Sequence, residues 1–202
     1  MRIAVVDYNA GNLRSVETAL KHLGADFFVS NRPEQVLAAD KLIFPGVGEA
    51  GAAMDMLNTS GLGRAIGEFY KSGRPVLGIC LGSQIVLSGS EESDTRCLDL
   101  VPGTARRFPP VKGFKVPHMG WNQVIHDGAH HLFRGIPSGS SFYFVHSYYP
   151  DPRDTKMCIA RTGYMIEFCS GLCLENLAAF QFHPEKSGKY GLKLLENFIH
   201  AG

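Results

Sequence analysis

The chain has little that would tie it to a charged polymer, a lipid bilayer or an oxidising compartment. Lysine plus arginine (20) and aspartate plus glutamate (19) nearly cancel. No one-sided field is therefore available to hold a phosphate backbone, which argues against nucleic-acid binding. No apolar run reaches the roughly 20 residues of a membrane-spanning helix. Met1-Arg2 leads straight into Ile3-Ala4-Val5-Val6, without the longer apolar region and small-residue cleavage site of a secretory signal. The five cysteines are odd in number and lack the spacing of a disulfide framework. Reduced thiols in a cytoplasm are the expectation. Tryptophan occurs once, as Trp121.

What is present is an ordinary globular composition: 202 residues, 45% of them hydrophobic, enough for one domain over 1–202 with a good core. Strand and helix signals alternate in the first half. Strands are expected over Arg2 to Asp7, Asp26 to Ser30, Lys41 to Phe44 and Arg74 to Cys80. Helices are expected over Asn12 to Leu23, from Pro33, between Ala52 and Tyr70, and from Leu81 to Ser88. After about Pro102 the texture changes to short strands punctuated by Gly and Pro: Thr104 to Phe108, Gln123 to Ile125, Ser141 to Tyr148, Met157 to Thr162 and Leu177 to Phe182. A closing helix follows from Lys189 to His200. The fold class implied is α/β, with a mainly parallel central sheet flanked by helices and an appended antiparallel meander.

The most informative stretch is Pro75 to Gln84. It reads as a buried strand entering a Gly-x-Cys-x-Gly turn and then a helix. Such a turn holds the cysteine in a strained backbone conformation and leaves no room for side chains at the flanking positions. It also sets the sulfur over the first free N–H groups of the next helix, where a thiolate is favoured. In open parallel sheets, ligands bind beyond the strand carboxyl ends, which is where Cys80 falls. Far downstream, Gln181-Phe182-His183-Pro184-Glu185 offers an imidazole and a carboxylate. In an extended segment their side chains share a face, so Glu185 would fix the tautomer of His183 and stabilise its charged form. Cys97, Cys158, Cys169 and Cys173 read instead as inert small hydrophobes.

Phe44 to Gly51 contains Gly-x-Gly-x-x-Gly, the dinucleotide fingerprint, but after the third strand and with a proline before its first glycine. No strand ending in an acidic residue follows about 20 positions on. A glycine-loosened strand whose peptide N–H groups meet a developing oxyanion is the better reading, with the N–H of Leu81 as second donor. Adjacent His130 and His131 do not suit one ion, and Cys169 and Cys173 lack a second pair, so no metal is expected. Solvated loop positions are expected for the two histidines. Trp121 is placed in a loop among glycine and polar residues, where it suits a partner surface.

Together, Gly-Ile-Cys-Leu-Gly-x-Gln and the distant Gln-Phe-His-Pro-Glu resemble the class I (triad-type) glutamine amidotransferases. The resemblance extends through Asp7 to Leu13, Phe44 to Gly48, Ser90 to Glu92, Pro117 to Asn122, Tyr143 to Tyr148 and His183 to Ser187. Within that family the chain is most similar to the glutaminase subunits of imidazole glycerol phosphate synthases. The resemblance implies a triad of Cys80, His183 and Glu185, with oxyanion N–H groups from Val47 and Leu81. It implies a glutamine pocket lined by Gly48, Gln84, Glu92, Ser147 and Tyr148, and no cofactor. Ser83 and Ser147 depart from the residues expected there, Met and Thr, without removing a catalytic group. The stretch from Thr162 to Asn176 matches least well.

The implied reaction is hydrolysis of the L-glutamine side-chain amide through a γ-glutamyl thioester on Cys80. A chain filled by a glutaminase domain has no room for a synthase, so the ammonia must pass to a separate subunit. The resemblance names a (β/α)8-barrel cyclase, in a heterodimer of histidine biosynthesis making imidazole glycerol phosphate and aminoimidazole carboxamide ribotide. Trp121, Tyr143 and Lys186 are the expected docking residues. Three alternatives stay open: a glutaminase serving another acceptor, a stand-alone γ-glutamyl hydrolase, and a non-catalytic module retaining the fold.

Overall fold

The computed structural model describes residues 1–9 and 13–201. Ala10, Gly11 and Asn12, part of the resemblance, lie outside the described residues, and with Asn12 so does the first residue of one expected helix. The first half runs β1 (Ile3–Val6), α1 (Leu13–His22), β2 (Phe27–Ser30), α2 (Pro33–Leu37), β3 (Lys41–Gly46), α3 (Ala50–Ser60), α4 (Leu62–Lys71), β4 (Val76–Cys80) and α5 (Leu81–Ile85). β1, β3 and β4 are buried along their whole length, as strands covered on both faces must be. The expected helical stretch between Ala52 and Tyr70 is two helices. Gly61, at φ 74°, ends α3 and begins α4, a left-handed conformation that glycine adopts without penalty.

The second half continues with β5 (Leu87–Ser90), β6 (Thr95–Arg96), β7 (Val101–Arg107), β8 (His118–Val124), β9 (Ser140–His146), β10 (Tyr148–Pro152), β11 (Cys158–Tyr164), β12 (Ile166–Leu174), β13 (Leu177–Phe180) and α6 (Gly188–His200). Seven strands form the main sheet in the order β11-β12-β13-β4-β3-β1-β2. Neighbours from β13 to β2 are parallel, while β11 and β12 pair antiparallel at one edge. A second sheet, β10-β7-β5-β6, and a ribbon, β8-β9, complete the architecture.

Three expectations need correction. The helix from Leu81 stops at Ile85, because Leu87 to Ser90 pairs with β7 and β6 instead. Trp121 is not in a loop: β8 starts at His118, and Trp121 stands opposite Tyr143 in its antiparallel pairing with β9. Leu177–Phe180 is not confined to the antiparallel group: it pairs antiparallel with β12 on one side and parallel with β4 on the other. That last placement brings the segment after β13 beside the end of β4.

Apolar side chains pack on both faces of the main sheet. One cluster joins Phe44 and Leu81 to Leu57, Ile66 and Phe69 of α3 and α4. The other joins Ile79 and Phe180 to Leu20, Phe144, Leu194 and Phe198. Lys41, 1% exposed, donates to the carbonyls of Phe198 and Ile199, each at 2.9 Å, and to that of Ala201. A buried ammonium is thereby matched to the free carbonyls at a helix C-terminus.

Candidate active site

The turn between β4 and α5 holds Cys80 at φ 53°, ψ −107°, a region that costs an L-residue about 1–3 kcal/mol. Packing enforces the glycines to either side. A Cβ at Gly78 would stand 2.9 Å from that of Ala179 on β13, and one at Gly82 would run into the Phe44 carbonyl on β3. The candidate nucleophile is thus pinned between two neighbouring strands. Its sulfur lies 3.9 Å from the Val145 carbonyl and 3.7 Å from Gln181 Nε2, which donates to it.

His183 follows β13 and is tied to β9, its N–H donating to the Tyr143 carbonyl at 2.9 Å. The ring Nδ1 meets Glu185 Oε1 at 2.8 Å, with both side chains 2% exposed. The pairing does not come from an extended segment. Pro184–Lys186 is a 3-10 turn that curls Glu185 back onto His183, held by the Ser187 hydroxyl donating to the His183 carbonyl at 2.6 Å. Nε2 has no well-aligned partner among the described residues, yet Cys80 is near enough to act on it. Burial pulls the imidazole pKa down, but hydrogen bonding and charge from Cys80 and Glu185 outweigh burial and raise it to about 10. An imidazole that keeps its proton beside a cysteine is poised to give that proton to a leaving amine.

A cavity of about 290 Å³ opens over Cys80. Its walls include Val47, Gly48, Leu81, Gln84, Glu92, Ser147 and Tyr148, so the oxyanion and pocket residues expected from sequence stand together. Burial raises the Glu92 pKa, the Ala50 N–H bonded to it at 2.8 Å lowers it, and the Glu49 charge raises it again. Two nearby carboxylates without a lysine or arginine in the cavity wall suit a cationic group of the substrate.

Sequence reasoning passed over Gln181, although it lies two residues before His183, the spacing that shares a face in an extended chain. Its Oε1 accepts from Gln84 Nε2 at 2.9 Å, and Gln84 also donates to the Tyr148 carbonyl at 3.0 Å. Ser83, fully buried, donates to the Cys80 carbonyl at 2.7 Å, so this departure puts a hydroxyl directly behind the nucleophile. Also unforeseen is a buried chain from Asn122 through His118 and His146 to the Tyr148 carbonyl, with steps of 3.2, 2.9 and 2.7 Å. Burial pushes His118 to about 4 and His146 to about 3, so both are neutral at pH 7.

Trp121 is 58% exposed, and its ring meets that of Tyr143 edge-on with centroids 6.2 Å apart. Tyr143 is in turn 6.5 Å from the His183 ring. The Lys186 N–H donates to the His183 carbonyl, and the Tyr143 N–H to the Ser187 hydroxyl. Tyr143 and Lys186 therefore adjoin His183, and Trp121 stands against Tyr143. Met119, 63% exposed, extends the apolar face of β8.

Among the described residues, no group of three or more His, Cys, Asp or Glu is placed to hold a metal ion, and no helix is long and apolar enough to cross a membrane. His130 is not simply a solvated loop residue. It is half-buried, and its Nδ1 accepts the Leu132 N–H to cap a 3-10 turn.

A strained cysteine at a strand–helix turn, with an imidazole and a carboxylate in the segment that follows the adjacent parallel strand, is the arrangement expected of a triad-type amidotransferase site. The family model described as glutamine amidotransferase class-I matches residues 4–201, and the chain belongs to that family. It is 47% identical over 198 residues to "Imidazole glycerol phosphate synthase subunit HisH" of Dehalococcoides mccartyi, covering 98% of this chain and 96% of that protein. It is 49% identical over 205 residues to the protein of the same name from Moorella thermoacetica, covering 99% and 97%. Among solved structures, a glutamine amidotransferase of Thermotoga maritima shares the fold. The TM-score is 0.69 at 17% identity, over 100% of this chain and 99% of that one.

Proposed function

We propose that the chain is the glutaminase subunit of an imidazole glycerol phosphate synthase, acting in histidine biosynthesis in the cytoplasm. The observation that carries the chemistry is the Cys80–His183–Glu185 arrangement, whose Cys80 lines the same cavity as Glu92. The Cys80 sulfur attacks the side-chain carbonyl carbon of L-glutamine, and the N–H groups of Val47 and Leu81 receive the oxyanion. His183 gives its proton to the amide nitrogen, which departs as neutral ammonia while the thioester forms. It then takes one from the water that cleaves the thioester, releasing glutamate. Glu185 holds the ring through Nδ1, and Glu92 receives the α-ammonium.

Ammonia protonated in bulk water is no longer a nucleophile, so the product goes directly to a (β/α)8-barrel cyclase subunit. The exposed Met119–Trp121 face beside the triad supports docking there. Rotation of the Gly46–Val47 peptide gates the reaction by moving one N–H into the oxyanion position, a donor worth roughly a hundred- to thousand-fold in turnover.

The test measures glutamate and ammonia release by the wild-type chain and by Cys80→Ala, with and without the cyclase and its ligand. Low basal turnover, strong stimulation by the liganded cyclase and no turnover by Cys80→Ala are expected. Activity retained in Cys80→Ala would overturn the nucleophile assignment. Full wild-type activity indifferent to any cyclase would favour a stand-alone hydrolase.

A further inference from the structure

Tyr8, just after β1, is a residue the proposed mechanism does not use. It is 3% exposed, its ring centroid is 5.4 Å from that of Phe44, and it packs in the same cluster as Leu81. Its hydroxyl has no hydrogen-bond partner among the described residues. Burial first, then the charge of Cys80, hold that hydroxyl firmly protonated, so it is a donor and not an anion. A buried hydroxyl without a partner is a standing cost that phenylalanine would avoid. Such groups call for a second state in which the partner exists.

The position of the hydroxyl identifies that partner. It occupies the space where a Cβ at Gly46 would stand, a point that also lies 3.2 Å from the Leu81 Cβ. Gly46 is thus a glycine because Tyr8 reaches it, one residue before Val47. Neither Tyr8 nor Gly46 lines the glutamine cavity, whereas Val47 and Gly48 do. In a trans peptide the C=O and N–H point in opposite directions. When the Val47 N–H turns into the cavity, the Gly46 carbonyl must swing away from it, toward the interior.

We propose that Tyr8 is a positioning residue of the oxyanion strand: its hydroxyl donates to the Gly46 carbonyl when the Gly46–Val47 peptide rotates its N–H into the cavity. Tyr8 then stabilises the catalytically competent peptide and leaves the resting one with an unused donor. The inference rests on Val47 as an oxyanion donor, and its role is to set the balance between the two peptide orientations.

Tyr8→Phe removes one atom and keeps the ring, so the fold should survive. The variant is assayed for glutamine hydrolysis in complex with the cyclase subunit, beside wild type and Cys80→Ala, and its thermal unfolding is followed. The expected result is a fall of tenfold or more in kcat, with KM for glutamine unchanged. A Tm equal to wild type or about 2–4 °C higher should accompany it, since an unpartnered polar group has left the core. The affinity for a glutamine analogue with an aldehyde in place of the amide should fall in parallel. Its oxygen takes the oxyanion position, and the proton of the thiol, when Cys80 adds to the carbonyl. Unchanged kcat with a lowered Tm would overturn the inference and make Tyr8 a structural residue. A rise in KM matching the loss in kcat/KM would also overturn it, because the pocket rather than the oxyanion strand would then be disturbed. The wild-type and Cys80→Ala assays keep these outcomes separate from failure of the glutaminase reading itself.

Discussion

Glu185 and Glu92, two carboxylates on the same site, are set to different tasks by what touches them. Glu185 is spent on His183 Nδ1 at 2.8 Å. Glu92 keeps an oxygen for the cavity and is held by a single N–H from Ala50. Glu92→Gln keeps an acceptor for that N–H while removing the charge. We expect KM for glutamine to rise about tenfold or more, since a hydrogen bond to a charged group is worth roughly 1.5–3 kcal/mol, with kcat little changed. Steady-state kinetics check this, and an unaltered KM would remove Glu92 from ammonium recognition. His183 gives a pH prediction. Its folded pKa of about 10 stands above the ordinary 6.5, so its proton contributes stability that is complete below about 6.5 and lost as pH rises through about 10. In Cys80→Ala, NMR titration of the His183 ring should find the pKa lowered and the alkaline loss of stability moved to lower pH. At this scale the three residues of the proposed triad stand out in the sequence because each sits in a short, stereochemically demanding motif. The route by which Glu185 reaches His183 was not legible, since His-Pro-Glu fits an extended segment and a 3-10 turn equally well. Gln181 was missed because its partners, Gln84 and the Cys80 sulfur, are about a hundred residues away.

Among the elements, the parallel strands were legible and the antiparallel ones much less so. β1, β4 and, after Lys41, β3 are continuous apolar runs because both of their faces are covered. β12 was not foreseen: it mixes Glu167, Ser170 and Gly171 with apolar residues and pairs with β11 through two register shifts, which break the period-two signal. Five of the seven residues of β8, His118 to Asn122, fall outside the expected strand because His118, Gly120 and Asn122 interrupt its apolar pattern. Those polar residues have partners across the ribbon: His118 meets His146, and Asn122 reaches the Gly163 carbonyl at 3.0 Å. The ribbon presents Met119 and Trp121 outward while Tyr143 carries the backbone carbonyl that receives the His183 N–H. Trp121→Ala should therefore weaken the complex with the cyclase about tenfold or more, the scale of an interface anchor, or uncouple hydrolysis from ammonia transfer, without lowering Tm appreciably. A titration against the cyclase with both products followed decides it. Unchanged affinity and coupling would place the docking face elsewhere.

For the whole molecule, topology brings two distant sequence motifs onto neighbouring strands: β13 lies beside β4, so the chain leaving Phe180 delivers His183 next to Cys80. Nothing local to either motif specifies that adjacency. The sequence announced an α/β chain with a nucleophile, base and carboxylate, but not that the last strand would enter the parallel sheet. The φ of 53° at Cys80 has a consequence for the history of such a chain. A strain of about 1–3 kcal/mol is a large share of the roughly 5–15 kcal/mol that separates folded from unfolded states in a typical domain. Glycine would carry none of it. Cys80→Gly should therefore melt above Cys80→Ala by differential scanning calorimetry, although both lack the sulfur; the reverse order would mean that the turn is not strained. If the order holds, a lineage released from selection for chemistry would be drawn by stability alone to exchange this cysteine for glycine. A chain that still holds cysteine in that turn carries a residue that folding disfavours and catalysis must continually defend.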